Sequence, residues 1–533
     1  MFRRLGMRRA LIVALACMPA AIAQADPFVY CSEASPEGFN PSLFIANTTF
    51  DASSRNGFNR LVEFERGSTK LRPALAESWT VSPDGLVYTF TLRRDVAFHT
   101  SKTFTPSRPM NADDVLYTFL RQWDPNHRDH KLSGGSYEYF NSMDMPKLIK
   151  AIEKVDAHTV RFVLTQPEAP FLANLAMDFA SIMSAEYADA MHAAGTLEKI
   201  DQEPIGTGPF QLVSYQKDAI IRYKAHPAYW EGKAPIEQLI FSITPDAAVA
   251  YAKLRAGECQ LIPYPNQADL DAMRRDPALR VMSQEGLNVG YLAFNTEKKP
   301  FDDVRVRRAL NMAIDRDAII EAVYLGHGRR AKNPIPPTLW SYNDAVEDYP
   351  YDPVAAKKLL AEAGLGKGFE TDLWALPVKR PYNPDGRRMA EMIQADWRKI
   401  GVTAKIVSYE FGEYLKRTKN GEHQTMLFGW TGDNGDPDNF LYVLLSCEGA
   451  KGGANRARWC NAEFDDLVTR AKRTPNLSER TQLYEQAQVV FKREAPWVTI
   501  AHSVVSTSMR KDVANYRIDP FGGHLFYGVD LAP

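Results

Sequence analysis

Helical and strand patterns alternate more strictly in the later part of the chain, from residue 303 onward, and this alternation constrains the fold more than any other feature of the chain. Residues 303–314, 353–363 and 387–400 have helical periodicity, and the last two of these helices are each followed by a glycine. Residues 402–407 follow directly as a strand. Alternation of this kind predicts an α/β domain with a largely parallel sheet.

The rest of the chain is also mixed α/β. Residues 87–92 and 160–164 alternate apolar and polar side chains as half-buried strands do, and Asn111 precedes a helix whose first turn is acidic. Residues 204–210 are rich in glycine and proline and lead into a strand at 211–215, which is typical of a passage between two domains.

The first 25 residues have the form of a cleavable signal peptide. Four arginines precede an apolar run at residues 10–22, and Ala23-Gln-Ala25 has the small-x-small form of a cleavage site, so the mature chain is expected to begin at Asp26. The run is shorter than the roughly 20 residues that a membrane-spanning helix needs. Lipidation of Cys17 is the alternative, although residues 14–17 match a lipobox poorly.

Removal of this segment leaves about 508 residues, with 60 basic and 65 acidic side chains and a net charge of −5. A chain of this length exceeds one hydrophobic core and predicts two or three domains. No basic stripe occurs, which argues against nucleic acid or an anionic membrane as a partner. No apolar run of spanning length follows residue 26, so a soluble protein outside the cytoplasm is expected.

Four cysteines remain after the signal peptide, and an even number in an oxidising compartment indicates two disulfides. Cys447 and Cys460 flank a Gly-rich loop, which favours them as a local pair and leaves Cys31 with Cys259. Three connectivities are possible from the sequence. A zinc site is the alternative, but neither pair has CxxC spacing.

Motifs for the common catalytic and cofactor chemistries are missing from the sequence. It contains no GxxxxGK[ST], no GxGxxG after a strand, no HExxH and no GxSxG. His127 and His130 are interpreted as a solvated loop rather than a metal site. Residues 433–438 resemble a calcium loop, but Asp438 and Leu444 stand where an EF-hand needs glycine and glutamate. We therefore expect neither enzyme activity, nor a cofactor, nor a metal.

Several segments resemble the large family of extracytoplasmic solute-binding proteins for peptides and nickel. The general landmarks are 75–99 (LAESWTVSPDGLVYTFTLRRDVAFH), 111–115 (NADDV), 204–210 (PIGTGPF) and 304–310 (VRVRRAL). Other segments resemble its dipeptide-binding branch: 133–140 (SGGSYEYF), 167–171 (PEAPF), 176–181 (AMDFAS) and 428–440 (FGWTGDNGDPDNF). The similarity covers essentially the whole mature chain.

The resemblance implies a two-lobed, three-domain α/β fold of the periplasmic-binding-protein (Venus flytrap) type. One lobe would be discontinuous, built from residues 26–57, 205–285 and 505–533, with a second domain at 58–204 attached to it. The other lobe would be the α/β domain at 286–504. In the branch the four cysteines form two disulfides, which here would be Cys31–Cys259 and Cys447–Cys460. The two crossings between lobes suit a hinge that closes around ligand.

The resemblance also implies a dipeptide ligand, bound by its two charged termini. Asp433 matches the family's aspartate for the amine, and Arg380 matches its arginine for the carboxylate. Two extended residues span roughly 7 Å, so a fixed pair of opposite charges can measure peptide length. Gly432 would let backbone approach the peptide amide. The pocket walls would include three aromatic side chains: Trp430, Tyr137 and Tyr382.

The expected partners follow from the same resemblance: the permease subunits of an ABC importer in the inner membrane, with the protein a monomer in the periplasm and a chemoreceptor as a further possible partner. Oligopeptides, nickel complexes, haem and glutathione are alternative ligands. A secreted peptidase or other hydrolase is the rival class. Residues 44–50 carry fewer hydroxyl and glycine residues than the branch usually has in this pocket segment, which leaves side-chain preference and tolerance of tripeptides open.

Overall fold

The structure is a computed structural model that describes residues 26–409, 411–451 and 454–532. The expected signal peptide at residues 1–25, with Cys17, lies outside these ranges. In the described ranges, no helix combines the length and the apolar character needed to cross a bilayer.

The strands of the described chain are numbered in chain order. They are β1 (Phe28–Ser32), β2 (Val62–Phe64), β3 (Leu71–Pro73), β4 (Ala76–Val81), β5 (Val87–Leu92), β6 (Ile149–Asp156), β7 (Thr159–Leu164), β8 (Phe210–Gln216), β9 (Ile220–Ala225), β10 (Gln238–Ile243), β11 (Leu261–Pro263), β12 (Leu279–Glu285), β13 (Asn288–Phe294), β14 (Gly328–Arg330), β15 (Phe369–Trp374), β16 (Val402–Val407), β17 (Thr425–Thr431), β18 (Trp497–Arg510), β19 (Val513–Ala514) and β20 (Asp530–Leu531).

The helices are numbered in the same way. They are α1 (Asn47–Ala52), α2 (Ser54–Gly57), α3 (Ala112–Trp123), α4 (Glu138–Ser142), α5 (Met145–Leu148), α6 (Phe171–Asn174), α7 (Ala185–Ala194), α8 (Lys199–Gln202), α9 (Ala247–Ala256), α10 (Leu270–Arg275), α11 (Val304–Met312), α12 (Arg316–Tyr324), α13 (Pro353–Glu362), α14 (Gly386–Lys399), α15 (Phe411–Lys419), α16 (Asp438–Leu445), α17 (Cys447–Ala450), α18 (Ala462–Arg473) and α19 (Leu477–Glu494).

One long strand, β18, runs through both halves of the main sheet. The sheet has the order β16-β15-β17-β13-β18-β11-β1-β10-β9-β8, and β12 and β14 also pair with β18. The first part of β18 pairs with β13 and β14, and its last part with β11 and β12. The chain therefore crosses between the two halves at β18 and again at the turn between β12 and β13.

Close backbone approach at this crossing explains a glycine. Gly286 donates its N–H to the Ser503 carbonyl at 2.9 Å. A Cβ added at Gly286 would lie 2.3 Å from the Asn288 side chain and 3.2 Å from the Ser503 carbonyl oxygen. The Asn288 amide in turn holds Ser503, donating to its Oγ at 2.8 Å and accepting from its N–H at 2.9 Å.

A separate antiparallel sheet has the order β4-β5-β7-β6. In the sequence its strands follow β1 and precede β8, which both belong to the main sheet. Helix α3 packs beside this separate sheet, and Asn111 caps its N-terminus as predicted. The cap is a capping box, in which the Asp114 carboxylate accepts from the Asn111 N–H at 2.9 Å. The buried apolar residues form distinct clusters: one spans residues 287–501, one spans 43–205, a third joins the chain's first, middle and last segments, and a fourth joins Cys31 to residues 250–279.

The predicted elements are found where periodicity indicated them, but the expected strand direction was wrong for part of the sheet. In residues 286–504, β15 is parallel to β16 and β17, whereas β13 is antiparallel to β17 and β18. The sheet is therefore mixed rather than largely parallel. Hydrophobic periodicity identifies a strand and its buried face, but it does not fix the direction of the partner strand.

Both predicted disulfides are confirmed. Cys31 is joined to Cys259 across a sequence separation of 228 residues, with Cα atoms 5.9 Å apart. Cys447 is joined to Cys460, with Cα atoms 4.5 Å apart. The first bond ties the end of β1 to the segment before β11, two elements that also pair directly. The domain boundaries given above stay a prediction.

Candidate ligand-binding site

A cavity of about 240 Å³ lies where segments from distant parts of the chain meet. The loop after β17 forms one side, and the segments around α1 and β2, α4, residues 176–178 and the tail after β19 form the others. The lining residues are Ile45, Asn47, Phe50, Arg55, Arg60, Phe64, Glu65, Arg66, Gly67, Tyr139, Ala176, Met177, Asp178, Thr431, Gly432, Asp433, Asp519, Phe521 and Leu525.

Asp433 follows the C-terminal end of β17 and is half-buried in this cavity wall. Its backbone N–H donates to Asn439 Oδ1 at 3.0 Å, and its Oδ2 accepts from Asn439 Nδ2 at 3.3 Å. The Tyr139 hydroxyl, from α4, donates to the same carboxylate. Burial raises the pKa of Asp433 to about 6, although the hydrogen bonds from Asn439 and Tyr139 oppose the rise.

Gly432 lines the cavity next to Asp433, and no side chain fits at its position. A Cβ there would lie 2.6 Å from the Phe440 ring and 2.8 Å from the Leu287 side chain. Its N–H already donates to the Leu287 carbonyl at 2.8 Å. The Gly432 N–H is therefore already used within the protein.

Arg380 lies in the loop after β15, which runs parallel to β17. The carboxyl ends of the two strands therefore point the same way, and the loops carrying Arg380 and Asp433 leave the same edge of the sheet. The backbone of Arg380 exchanges hydrogen bonds with Asn383 at 3.0 and 2.9 Å. Its guanidinium contacts the Tyr382 hydroxyl, and it is not among the residues that line the cavity.

Tyr382 is buried over two glycines of the sheet rather than exposed in the cavity wall. A Cβ at Gly290 would lie 2.2 Å from the Tyr382 carbonyl oxygen, and one at Gly429 would lie 2.1 Å from its ring. The Tyr324 hydroxyl donates to that same carbonyl at 2.6 Å. Burial raises the pKa of Tyr382, and the Arg380 guanidinium opposes this rise. Tyr382 thus seats the Arg380 loop on β13 and β17.

The other two aromatic candidates also lie outside the cavity lining. The Trp430 indole N–H donates to Asn439 Oδ1 at 2.9 Å, and its ring packs against the core of residues 287–501. Tyr137 is 1% exposed, and its hydroxyl donates to the His130 carbonyl at 2.8 Å. The aromatic side chain from this segment that reaches the cavity is Tyr139, two residues later.

Several charged residues that line the cavity belong to an ion network that the sequence did not reveal. Arg55 lies 2.8 Å from Asp51 and 3.6 Å from Asp178, and Arg60 lies 3.9 Å from Asp178. Burial raises the pKa of Asp51 and of Asp519 to about 6, and Arg55 lowers both. Asp178 lies within segment 176–181, which resembles the dipeptide-binding branch. That resemblance was the one sequence signal that could have pointed to this network. Arg55 and Asp519 lie more than 460 positions apart.

Residues that follow Asp433 in the chain, together with Lys472, contact the segment around α6. Lys472 lies 2.7 Å from Glu168 and 3.1 Å from Asp438, and its carbonyl accepts from the Ala169 N–H at 2.7 Å. Asn434 donates to Asn174 at 2.7 Å. These contacts connect the part of the chain around α6 with the part around α16 and α18. Across the described residues, no three acidic, histidine or cysteine side chains are grouped as a metal would need.

Comparison with known proteins matches this architecture over nearly its whole length. The family of bacterial extracellular solute-binding proteins, family 5, matches residues 70–452. The chain is 58% identical over 529 residues to the dipeptide-binding protein of Escherichia coli (strain K12), covering 99% of both chains. It is 55% identical to heme-binding protein A of Haemophilus influenzae (strain Rd), covering 95% of this chain and 92% of that protein.

A solved structure shows the same fold. The dipeptide-binding protein of Pseudoalteromonas sp. SM9913, crystallised with Met-Leu, is 41% identical to the chain. The two structures superpose with a TM-score of 0.74, over 95% of this chain and 99% of that one. This likeness confirms the predicted two-lobed α/β fold of the periplasmic binding proteins. The chain therefore belongs to the bacterial extracellular solute-binding proteins of family 5.

Proposed function

We propose that this protein is a periplasmic receptor that captures dipeptides by their free termini and delivers them to an ABC importer in the inner membrane. The identity to a dipeptide-binding protein over the whole chain supports the ligand class. The observation that carries the proposal is the half-buried Asp433 carboxylate, which lies on the wall of a cavity where distant segments of the chain meet. The protein acts as a monomer and can also be presented to a chemoreceptor in its closed form.

Asp433 receives the ammonium group of the peptide. Its carboxylate is held by two hydrogen bonds and has lost much of its water, which raises its pKa to about 6. An ammonium group entering the cavity gives this carboxylate an opposite charge, and a buried charge is far less costly when it is paired. A peptide with a blocked N-terminus leaves the carboxylate without that partner.

Arg380 receives the carboxylate of the peptide. A guanidinium presents a planar fork that meets a carboxylate with two parallel hydrogen bonds. The common sheet edge of the Arg380 and Asp433 loops supports this pairing. The contacts of Tyr382 with Gly290, Gly429 and Tyr324 make the Arg380 loop a rigid support for it.

The protein binds its ligand without transforming it. The solute-binding family to which it belongs supports this part of the proposal. The cavity lining carries no cysteine or histidine in the part of the chain that the structure describes, and Thr431 and Tyr139 are its hydroxyl-bearing residues. Among the described residues, neither hydroxyl has a histidine partner that would act as a general base.

Haem is the second ligand to consider, because a relative of 55% identity is a heme-binding protein. The volume of the cavity favours the smaller ligand. Sites for drug-sized molecules usually measure roughly 300–1,000 Å³, whereas this cavity measures about 240 Å³. Its buried ions also suit a ligand with charged ends better than a large flat macrocycle.

A ligand panel tests the proposal. Isothermal titration with Ala-Ala, tri-Ala, tetra-Ala, N-acetyl-Ala-Ala, Ala-Ala-amide and haemin compares length, termini and class. We expect binding of the free dipeptide and a loss of at least about 100-fold when either terminus is blocked, since breaking a buried ion pair costs about 3–5 kcal/mol. Equal affinity for the blocked peptides, preference for tripeptide over dipeptide, or tight haemin binding with no peptide binding would contradict it. Free alanine after incubation would indicate a peptidase.

A further inference from the structure

One buried amide connects two residues of the candidate site. Asn439 is the second residue of α16 and is 3% exposed. Its Oδ1 accepts from the Trp430 indole N–H at 2.9 Å and from the Asp433 backbone N–H at 3.0 Å. Its Nδ2 donates to Asp433 Oδ2 at 3.3 Å. Asn439 does not line the cavity, so it acts on a ligand only through its neighbours.

The chemistry of these partners fixes the orientation of the amide. An indole N–H and a backbone N–H can only donate, so both require the oxygen of Asn439. A rotation of the amide by 180° would place its NH₂ group against two donors and its oxygen against a carboxylate. The two hydrogen bonds to Oδ1 therefore turn the NH₂ group toward Asp433, and the carboxylate is held in one direction.

We propose that Asn439 is the positioning residue of the ligand site: it aims the Asp433 carboxylate into the cavity and locks Trp430 beside it. This inference rests on the proposed role of Asp433 as the ammonium anchor. An anchor that is already oriented loses little conformational freedom when ligand arrives, so more of the interaction energy remains as affinity.

The groups that face Asp433 determine how this role can be measured. Tyr139 donates to its carboxylate, and the other charged side chains of the cavity are Arg55, Arg60, Glu65, Arg66, Asp178 and Asp519. The pKa of Asp433 is raised by burial and lowered by the hydrogen bonds from Asn439 and Tyr139. Loss of the Asn439 N–H removes one of the two interactions that favour the ionised form.

The test is dipeptide affinity measured by titration calorimetry from pH 5 to pH 9 in Asn439→Ala and Asn439→Asp. Wild-type affinity is expected to decline as the pH falls through about 6, because protonated Asp433 loses its charge. Asn439→Ala should bind about tenfold more weakly or worse at pH 8, because it loses a hydrogen bond to a charged group. The dipeptide affinity of Asn439→Ala should begin to decline at a higher pH than that of the wild type.

Asn439→Asp keeps both accepted hydrogen bonds and replaces the donor with a negative charge. The decline in affinity should move to still higher pH, because a second carboxylate disfavours ionisation of Asp433. If Asn439→Ala does not fold, the measurements on Asn439→Asp alone test the inference. Asn311→Ala is the matched control, since Asn311 is a buried helix asparagine away from the cavity.

Two results would overturn the inference. The first is equal loss of affinity at every pH in both Asn439 variants, which is what general damage to α16 would produce. The second is unchanged affinity and an unchanged pH profile in both. Failure of the proposed function gives a different result, because the wild type would then bind no dipeptide or Asp433→Asn would bind it normally.

Discussion

Without ligand, the ionised carboxylate of Asp433 is less stable in the folded protein than it would be in water. Burial raises its pKa to about 6, above the ordinary value of 3.8, so the ionised form is disfavoured in the folded protein. The sequence predicted the residue and its partner charge from a motif. It did not predict that Asn439 and Tyr139 would hold the carboxylate, because those hydrogen bonds depend on side-chain directions that no spacing rule encodes.

The paired substitutions Asp433→Asn and Arg380→Met test the two charge anchors. Each removes one charge and keeps a similar shape, so we expect dipeptide affinity to fall at least about 100-fold at pH 7.5 while the melting temperature changes little. Titration calorimetry and calorimetric melting measure the two quantities. Asp271→Asn, at an exposed position, is the control. Near wild-type dipeptide affinity in both variants would show that the ligand binds elsewhere.

Helices and strands were predicted well where local signals define them. The strand at 402–407 matches β16 residue for residue, and Asn111 caps α3 as its sequence predicts. Finer placement was not predictable. Tyr137 has a φ of 42° just before α4 and points into the core, whereas Tyr139 within α4 reaches the cavity. The sequence of the segment reveals neither the left-handed residue before this short helix nor which of the two rings lines the cavity.

Two buried histidines join the loop after β5 to the end of β9. The rings of His99 and His226 lie 4.9 Å apart, and His99 Nε2 contacts the Gly208 carbonyl at 2.8 Å. Burial lowers the pKa of His99 to about 3 and also lowers that of His226. The folded state therefore takes up fewer protons than the unfolded chain below about pH 6.5. Their contribution to stability is present above that pH and is lost as the pH falls toward about 3.

Acid should therefore destabilise the fold partly through these two rings. We expect the free energy of unfolding to drop between pH 7.5 and pH 4.5, and His99→Gln, which keeps an N–H donor but cannot be protonated, should lose less over that interval. Urea denaturation at the two pH values measures the difference. His327→Gln, at a half-exposed position, is the control. An equal loss in wild type and His99→Gln would exclude His99 as a contributor.

At the scale of the whole molecule, Lys472 connects the part of the chain around α6 with the part around α16. It places one ammonium between Glu168 and Asp438, whose side chains are 7% and 6% exposed. Burial raises the pKa of Glu168, and the charge of Lys472 opposes that rise. The neighbouring Asn434–Asn174 hydrogen bond joins the same two parts of the chain. Asp433, the proposed ligand anchor, and the residues that make these contacts, Asn434 and Asp438, thus lie within six consecutive positions of the chain.

Removal of the Lys472 charge should favour the open arrangement. In Lys472→Met, Glu168 and Asp438 lose their common partner, so we expect about tenfold weaker dipeptide binding at pH 7.5 and a larger radius of gyration in small-angle scattering with ligand present. Lowering the pH should reduce the defect, since protonation of Glu168 removes one unpaired charge. Lys451→Met, at an exposed position, is the control. A wild-type radius with wild-type affinity would show that Lys472 does not stabilise closure.

Segments from early and late in the chain meet beside the cavity. Asn56 donates to the His524 carbonyl at 3.1 Å, and the His524 N–H donates to Asp51 at 2.8 Å, across more than 460 intervening residues. Asp519, Phe521 and Leu525 form part of the cavity lining. The cavity wall is therefore complete only when contacts between segments more than 460 positions apart have formed, so this site depends on long-range folding rather than on any one local segment.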